Sequence, residues 1–150
     1  MQDFVHLHVH TQYSLLDGQA SVARLVDKAM KNGMKGIAVT DHGNMFGIKE
    51  FTNYVNKKNS GPKGEVKDLK KRIAGIEAGT IECEDKEAEI AACKAKIVEA
   101  ENKLFKPVIG CEMYVARRTM DLKEGKPDQS GYHLIVLAKN EKGYHNLIKL

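Results

Sequence analysis

Histidines alternate with apolar residues near the start of the chain, in His6-Leu7-His8-Val9-His10. Successive side chains of a β-strand point to opposite faces, so a strand here would put the three imidazoles on one face and Leu7 and Val9 toward a core. Neighbouring imidazoles on that face would stand about 6–7 Å apart at their Cα atoms, close enough to converge on one ion. The pattern predicts a strand over 4–10 that carries metal ligands.

A second polar stretch, Thr40-Asp41-His42-Gly43, follows the apolar run at 37–39. Buried parallel strands often deliver functional groups at their C-terminal ends in this way. His42 is a candidate metal ligand. Asp41 is either a ligand or an acceptor that orients His42 or a neighbouring imidazole, and we expect the orienting role.

Composition limits the class of protein. The chain has 150 residues, of which 42% are hydrophobic, enough for a globular domain with a core. Its net charge of +4 permits phosphate binding without requiring it. Three cysteines without a Cys-x-x-Cys spacing predict free thiols in a reducing compartment. With no apolar run near the ~20 residues that span a membrane and no signal-peptide pattern, we expect a soluble cytoplasmic protein.

The first third of the chain alternates strands and helices. Ser21 is a candidate cap for a helix that Asn32-Gly33 would end, and a strand is expected over 36–40. Asn44 is a candidate cap for a second helix. This alternation predicts an α/β fold with a parallel sheet or barrel.

The pattern changes between 57 and 105. A linker rich in Asn, Ser, Gly and Pro is expected over 57–64, followed by two charged helical segments with apolar residues every three or four positions. These stripes predict an antiparallel helical hairpin. It is either a contact surface for a partner or an insertion that packs only on itself.

The α/β pattern returns after Pro107. A third strand is expected over 108–115, interrupted by Glu112, then a polar loop over 117–131 and a fourth strand over 132–138. Asn140 is a candidate cap for a last helix. The chain stops inside that helix, which we interpret as the end of a piece of a longer protein.

Candidate metal ligands fall near the ends of several strands. Carboxylates and imidazoles from different strand ends converge at the mouth of a parallel barrel, and they suit zinc, manganese or iron. The position of His133, at the start of its strand, does not fit that rule.

Asp17 precedes a glycine and has an alternative interpretation as a turn residue. Surface positions are expected for His145 and for Arg117 and Arg118, and His6 is expected to point at the site without binding an ion.

Four motifs occur in the order typical of one family: His8-Val9-His10-Thr11, Thr40-Asp41-His42-Gly43, Gly110-Cys111-Glu112 and His133-Leu134. Together they resemble the PHP (polymerase and histidinol phosphatase) superfamily. The longer strings over 4–18 and 40–47 resemble the N-terminal region of the C-family bacterial replicative polymerases, the alpha subunits of DNA polymerase III. The resemblance covers 1–56 and 106–150, and the segment 57–105 departs from it.

The resemblance implies the first part of a distorted (β/α)7 PHP barrel with an inserted helical hairpin. It implies up to three divalent ions, of zinc, manganese or iron. His8 and His10 would bind one with Glu112, which would bridge to a second ion held by His133, and the third would take Asp17 and His42. Further ligands of the family would lie beyond residue 150, so the 150-residue chain by itself is expected to bind metal weakly and hydrolyse little.

The implied chemistry is metal-assisted phosphodiester hydrolysis on a DNA polymerase, which would give 3′–5′ proofreading of a primer end. Implied partners are primer–template DNA and other replicase subunits, such as a proofreading subunit and the sliding clamp. Two alternatives stay open. One is a stand-alone PHP phosphatase of the histidinol-phosphatase type. The other is a non-catalytic PHP domain, in which bound metal only stabilises the polymerase and docks a separate proofreading subunit.

Overall fold

The protein is described from a computed structural model that covers residues 4–129 and 131–150. The chain divides into two compact units, Met1–Val55 with Lys106–Leu150, and Asn56–Phe105. The strands are β1 (Gly36–Val39), β2 (Lys106–Val115) and β3 (Tyr132–Leu137). The helices are α1 (Val22–Lys31), α2 (Ile48–Lys58), α3 (Ser60–Glu77), α4 (Lys86–Asn102) and α5 (Glu141–Lys149), with a 3₁₀ turn at Lys126–Asp128.

The first unit contains a three-stranded mixed sheet in the order β1-β2-β3. β1 runs parallel to β2, as the alternation of elements predicted, with Gly36 opposite Lys106. β3 is antiparallel to β2, with Gly110 opposite Leu137, so the prediction that the fourth strand is also parallel was wrong. Because β3 is reversed, its N-terminal residues lie beside the C-terminal part of β2.

The segment 4–10 lies beside β1 but does not form the predicted regular strand. Ala38 N donates to His6 O and Thr40 N donates to Val9 O, each at 2.9 Å. The acceptors are three residues apart and the donors two, so the segment holds one extra residue, as in a β-bulge, which breaks the alternation of faces. Leu7 is 51% exposed as a result, so its predicted core position was wrong.

The first helix matches its predicted boundaries. The Ser21 hydroxyl accepts from the amide of the third helical residue, and Gly33 follows the helix with a φ of 75°. Such a φ is easily adopted only by glycine, which explains why the helix ends there. Val22, Val26 and Ala29 are buried, and α1 packs on the fully buried β1. The predicted cap of α5 is confirmed too, because the Asn140 side chain accepts from a helix amide at 2.9 Å.

The second helix begins at Ile48, so the prediction that Asn44 caps it was wrong. Asn44 Nδ2 donates to Tyr13 O at 3.1 Å and to His42 O at 3.0 Å, and its Oδ1 accepts from Phe46 N at 3.1 Å. Bonds of this kind to nearby backbone stabilise a turn in competition with a helix. Phe46 therefore lies in the turn and is 76% exposed.

The second unit is the predicted antiparallel pair of helices, α3 and α4. Its apolar seam buries Ile76, Cys93 and Ala100, and Arg72 pairs with Glu89 at 2.8 Å. The predicted linker over 57–64 was wrong, since α2 continues to residue 58 and α3 begins at residue 60. The proline at 62 lies in the first turn of α3, where its missing N–H is not needed.

No helix within 4–129 or 131–150 is both long and apolar enough to cross a membrane.

Candidate metal centre

Glu112 lies at the centre of a cluster of imidazoles. It belongs to β2, and only 7% of its side chain is exposed. Its Oε2 atom is buried and has no hydrogen-bond donor among the described residues. A buried carboxylate oxygen without a donor is costly unless a cation or a proton compensates it.

Four imidazole nitrogens surround the two carboxylate oxygens. His10 Nε2 and His42 Nδ1 lie 3.0 and 3.2 Å from Glu112 Oε2. His133 Nδ1 and His8 Nε2 lie 3.2 and 3.6 Å from Glu112 Oε1. The carboxylate therefore has two imidazoles at each oxygen, the arrangement expected of a ligand that bridges two ions.

The sheet places three of these residues by its register. His42 is paired directly with Glu112, in a parallel bridge just beyond β1. Gly43 N donates to Glu112 O at 2.9 Å, and Glu112 N donates to Asp41 O at 3.1 Å. His133 is diagonal to Glu112 across the antiparallel β2–β3 pair, on the same face. The reversal of β3 thus explains how a residue at the start of its strand reaches the site.

His8 and His10 lie beside β1 at the end of the segment 4–10. Their Nε2 atoms are 3.0 Å apart and their ring centroids 5.0 Å apart. Two ring nitrogens this close either share one proton or direct their lone pairs at a common cation. The same two nitrogens are the ones nearest Glu112, so a shared cation would also contact the carboxylate.

Asp17 joins the cluster through His42. Its Oδ2 lies 2.7 Å from His42 Nδ1, and 45% of its side chain is exposed. It lies in the loop over 11–18, where the amides of Asp17 and Gly18 donate to Ser14 O at 3.0 and 2.8 Å. Asp17 therefore lies in a turn and also faces the site, so its interpretations as a turn residue and as a metal ligand do not exclude each other.

We expected Asp41 to orient an imidazole, but among the described residues no imidazole donates to its carboxylate. It is buried, and its carboxylate accepts from Thr11 N at 2.6 Å, Thr11 Oγ1 at 2.9 Å and Ser14 Oγ at 2.7 Å. His42 N in turn donates to Ser14 Oγ at 3.0 Å. The Asp41 carboxylate therefore fixes the loop that carries Asp17.

Cys111 is next to Glu112 in β2, but its thiol is not available as a ligand. It is buried and lies 3.4 and 3.5 Å from the carbonyl oxygens of Asn44 and Asp41. Burial raises the pKa of the Cys111 thiol, and the nearby Asp41 and Glu112 carboxylates raise it further. All three cysteines are free thiols, as expected.

The ligand atoms form three overlapping groups, each within 4.8 Å. They are His8 with His10 and Glu112, His10 with Asp17 and His42, and His42 with Glu112 and His133. All six candidate ligands from the sequence therefore come together. Nitrogen and carboxylate donors of this kind suit a divalent metal ion.

The other titratable candidates lie outside these groups. The ring of His6 contacts Phe4 edge-on at 4.7 Å. His145 is an exposed residue that faces Glu141, as predicted. Arg118 pairs with two acidic residues of its own loop, and Arg117 stacks on a tyrosine ring at 5.2 Å.

Sequence reasoning missed Thr11, Ser14 and Tyr114. The hydroxyl-rich composition of the loop over 11–18 was visible, but its bonds to Asp41 follow only from the three-dimensional contact. The Tyr114 ring lies 4.9 Å from the His42 ring and 5.2 Å from the His133 ring. Its position in β2, two residues after Glu112 and so on the same face, was the available signal.

The sequence was compared with known protein families. The PHP domain family matches residues 6–150, a range that contains all six candidate ligands. The chain belongs to the PHP domain family.

Three similar proteins carry the name DNA polymerase III subunit alpha. The chain is 40% identical to the DNA polymerase III subunit alpha of Borreliella burgdorferi over 150 residues, 98% of the chain and 9% of that protein. It is 38% identical to the subunit of Treponema pallidum, over 98% of the chain and 9% of that protein. The Aquifex aeolicus subunit is 32% identical, over 99% of the chain and 10% of that protein. The chain thus spans about a tenth of the length of these relatives.

Proposed function

We propose that this chain is the PHP-domain part of a bacterial replicative DNA polymerase, the alpha subunit of DNA polymerase III. The support is its similarity to subunits of that name over nearly its whole length. The mixed sheet would then be part of a distorted (β/α)7 barrel. The parent protein would act on primer–template DNA in the cytoplasm, with a proofreading subunit and the sliding clamp as partners.

We further propose that the cluster around Glu112 binds divalent metal and hydrolyses phosphodiesters. The observation that carries this proposal is the buried Oε2 of Glu112. It has two imidazole nitrogens within 3.2 Å, yet no residue in the described part of the chain donates a hydrogen bond to it. Zinc, manganese or iron at this position would lower the pKa of a bound water and stabilise the negative charge that develops on the phosphate oxygens.

Up to three ions would be bound by the candidate ligands of this chain. His8 and His10 would hold one with Glu112, and Glu112 and His133 would hold the next. Asp17 and His42 would hold the third. Asp17 is 45% exposed, so the third group is open to a DNA end arriving from solvent.

The direct test uses the full-length protein that carries these residues. A mismatched primer is incubated with added Mn²⁺ or Zn²⁺, and shortening from its 3′ end is compared between the wild type and His10→Ala. We expect the variant to be slower by at least about 100-fold, because losing a ligand should cost more than losing a residue that only supports one. His145→Ala is the matched control, because His145 is exposed and lies in none of the three candidate ligand groups.

The outcomes separate the three possible functions. Loss of shortening only in His10→Ala supports a hydrolytic site. Equal shortening by the wild type and His10→Ala, or none by either, supports a non-catalytic PHP domain that metal stabilises. Hydrolysis of histidinol phosphate without any action on DNA would support a stand-alone phosphatase.

A further inference from the structure

An exposed apolar surface borders the metal centre at Asp17 and His42. These two residues line a cavity of about 520 Å³, within the range typical of small-molecule sites. Four large side chains line the same cavity, and we call them the apolar rim: Leu15, Leu16, Phe46 and Tyr114. Their exposed fractions run from 60% for Tyr114 to full exposure for Leu16.

The leucines of the rim are held in place by the loop. Leu16 has a φ of 77°, a left-handed conformation that is unfavourable for a residue with a side chain. The amide of Asp17, next to it, donates to Ser14 O, and the Ser14 hydroxyl is bonded to Asp41. A strained backbone that presents an apolar side chain to solvent, beside a ligand-rich site, points to a binding role.

The aromatic members of the rim are fixed as well. Gly43 has a φ of 63°, and a Cβ there would lie 2.9 Å from Tyr114 Cε2, so the tyrosine ring packs against bare backbone. The ring also contacts the rings of His42 and His133, so its position is tied to the metal centre. Phe46 lies in the turn that Asn44 stabilises through the Phe46 amide.

We propose that the apolar rim binds the unpaired terminal nucleobase of a DNA strand whose neighbouring phosphodiester lies at the metal centre. This inference rests on the proposed function. Aromatic and leucine side chains stack on or wedge between bases without sequence preference. Because the rim adjoins Asp17 and His42, the base nearest the reacting phosphate is the one within reach.

The rim explains how such a site would select frayed or mismatched ends. A paired terminal base is held in the helical stack, and moving it onto the rim costs the loss of that stacking and pairing. An unpaired base does not have this cost. Binding is therefore expected to favour single strands and mismatched 3′ ends over matched duplex ends.

The kinetic test compares two single strands in the full-length protein, one with a normal 3′-terminal nucleotide and one with an abasic 3′ residue. We expect the wild type to have a KM about tenfold lower for the normal strand, the size of effect of one stacked base. In Phe46→Ala, the KM values for the two strands should approach each other. Met120→Ala is the matched control, because Met120 is 83% exposed and lies outside the cavity.

A binding test without chemistry separates this inference from the proposed function. A single strand with 2-aminopurine at its 3′ end is titrated with protein in the presence of EDTA. Stacking on the rim should quench the fluorescence with the wild type and Met120→Ala, and much less with Phe46→Ala. Quenching without hydrolysis in the metal assay would support the rim and contradict the hydrolytic function.

Two results would overturn the inference. One is the same quenching, with the same KM ratio, in the wild type and Phe46→Ala. The other is a Phe46→Ala variant that keeps the quenching but melts at a lower temperature, which would make the rim a packing surface for another part of the protein.

Discussion

Removing the Asp41 carboxylate should destabilise the protein strongly, although the carboxylate bonds to Thr11 and Ser14 and not to a candidate metal ligand. The residue is 1% exposed and accepts three hydrogen bonds, from Thr11 N, Thr11 Oγ1 and Ser14 Oγ. In Asp41→Ala these buried donors lose their acceptor, and each lost hydrogen bond should lower the free energy of unfolding by about 1–1.5 kcal/mol. We expect the free energy of unfolding to fall by about 3–5 kcal/mol, a large part of the stability of an ordinary domain.

Urea denaturation followed by circular dichroism measures this change. In Asp41→Ala the urea concentration at the midpoint should fall, while the slope of the unfolding free energy against urea concentration stays unchanged. Asp41→Asn should lower the free energy of unfolding by only about 1–2 kcal/mol, because its amide oxygen still accepts hydrogen bonds. Asp121→Ala, at an exposed loop position, is the control and should stay within about 0.5 kcal/mol of the wild type. A cost below about 1 kcal/mol for Asp41→Ala would refute the role assigned to this carboxylate.

Three further predictions concern the loop, a tyrosine and the helical pair. Gly18→Ala should cost about 1–3 kcal/mol, because its Cβ would lie 2.0 Å from a backbone oxygen. The hydrogen bond to Glu50 raises the pKa of the Tyr13 phenol. The bond therefore stabilises the fold below the phenol's ordinary pKa, and this stabilisation is lost as pH rises through the raised pKa. In Glu50→Gln, absorbance at 295 nm should show that Tyr13 titrates at a lower pH. Ile76→Ala should cost about 2–5 kcal/mol in urea denaturation, because this side chain is fully buried.

Matched variants show which outcomes would contradict these expectations. Gly61→Ala, in a helix with nothing within 4 Å of the new Cβ, should be neutral or stabilising, and a similar cost at Gly18 and Gly61 would rule out the steric explanation. Val98→Ala removes a valine that is 57% exposed and should have little effect. An Ile76→Ala cost no larger than that of Val98→Ala would exclude a packed seam. An unchanged tyrosine titration in Glu50→Gln would show that Glu50 does not set the Tyr13 pKa.

The sequence predicted the elements whose signals are local. Ser21 and Asn140 cap helices as expected, and the apolar run at 37–39 forms a buried parallel strand. These predictions succeeded because a capping hydroxyl or amide and a short apolar run act within a few residues. His8, His10, His42 and Glu112 were predicted as ligands from their types and their positions in or at the ends of strands, whereas Asp17 and His133 were predicted through the family resemblance.

The predictions that failed depended on contacts between distant residues. The extra residue in the segment 4–10 is visible only from its pairing with β1, and that pairing exposes Leu7. Asn44 has a strong capping propensity, but its side chain bonds the backbone of Tyr13 and His42 instead. Local propensity could not reveal either arrangement.

The direction of β3 was the most consequential feature that sequence reasoning missed. A parallel fourth strand would place its first residue at the opposite end of the sheet from Glu112. The antiparallel register instead puts His133 opposite Tyr114 and within 3.2 Å of the Glu112 carboxylate. The length of the connection after β2 did not distinguish the two directions, because a loop of this size can reach either end of the sheet.

Anomalous X-ray diffraction from crystals of the full-length protein grown with Zn²⁺ or Mn²⁺ tests the metal centre most directly. We expect anomalous peaks about 2.0–2.2 Å from the carboxylate oxygens of Glu112 and from the Nε2 atoms of His8 and His10. Crystals of Glu112→Gln should lose these peaks. Metal peaks that avoid Glu112 in the wild type, or that persist unchanged in Glu112→Gln, would contradict a metal centre built on this carboxylate.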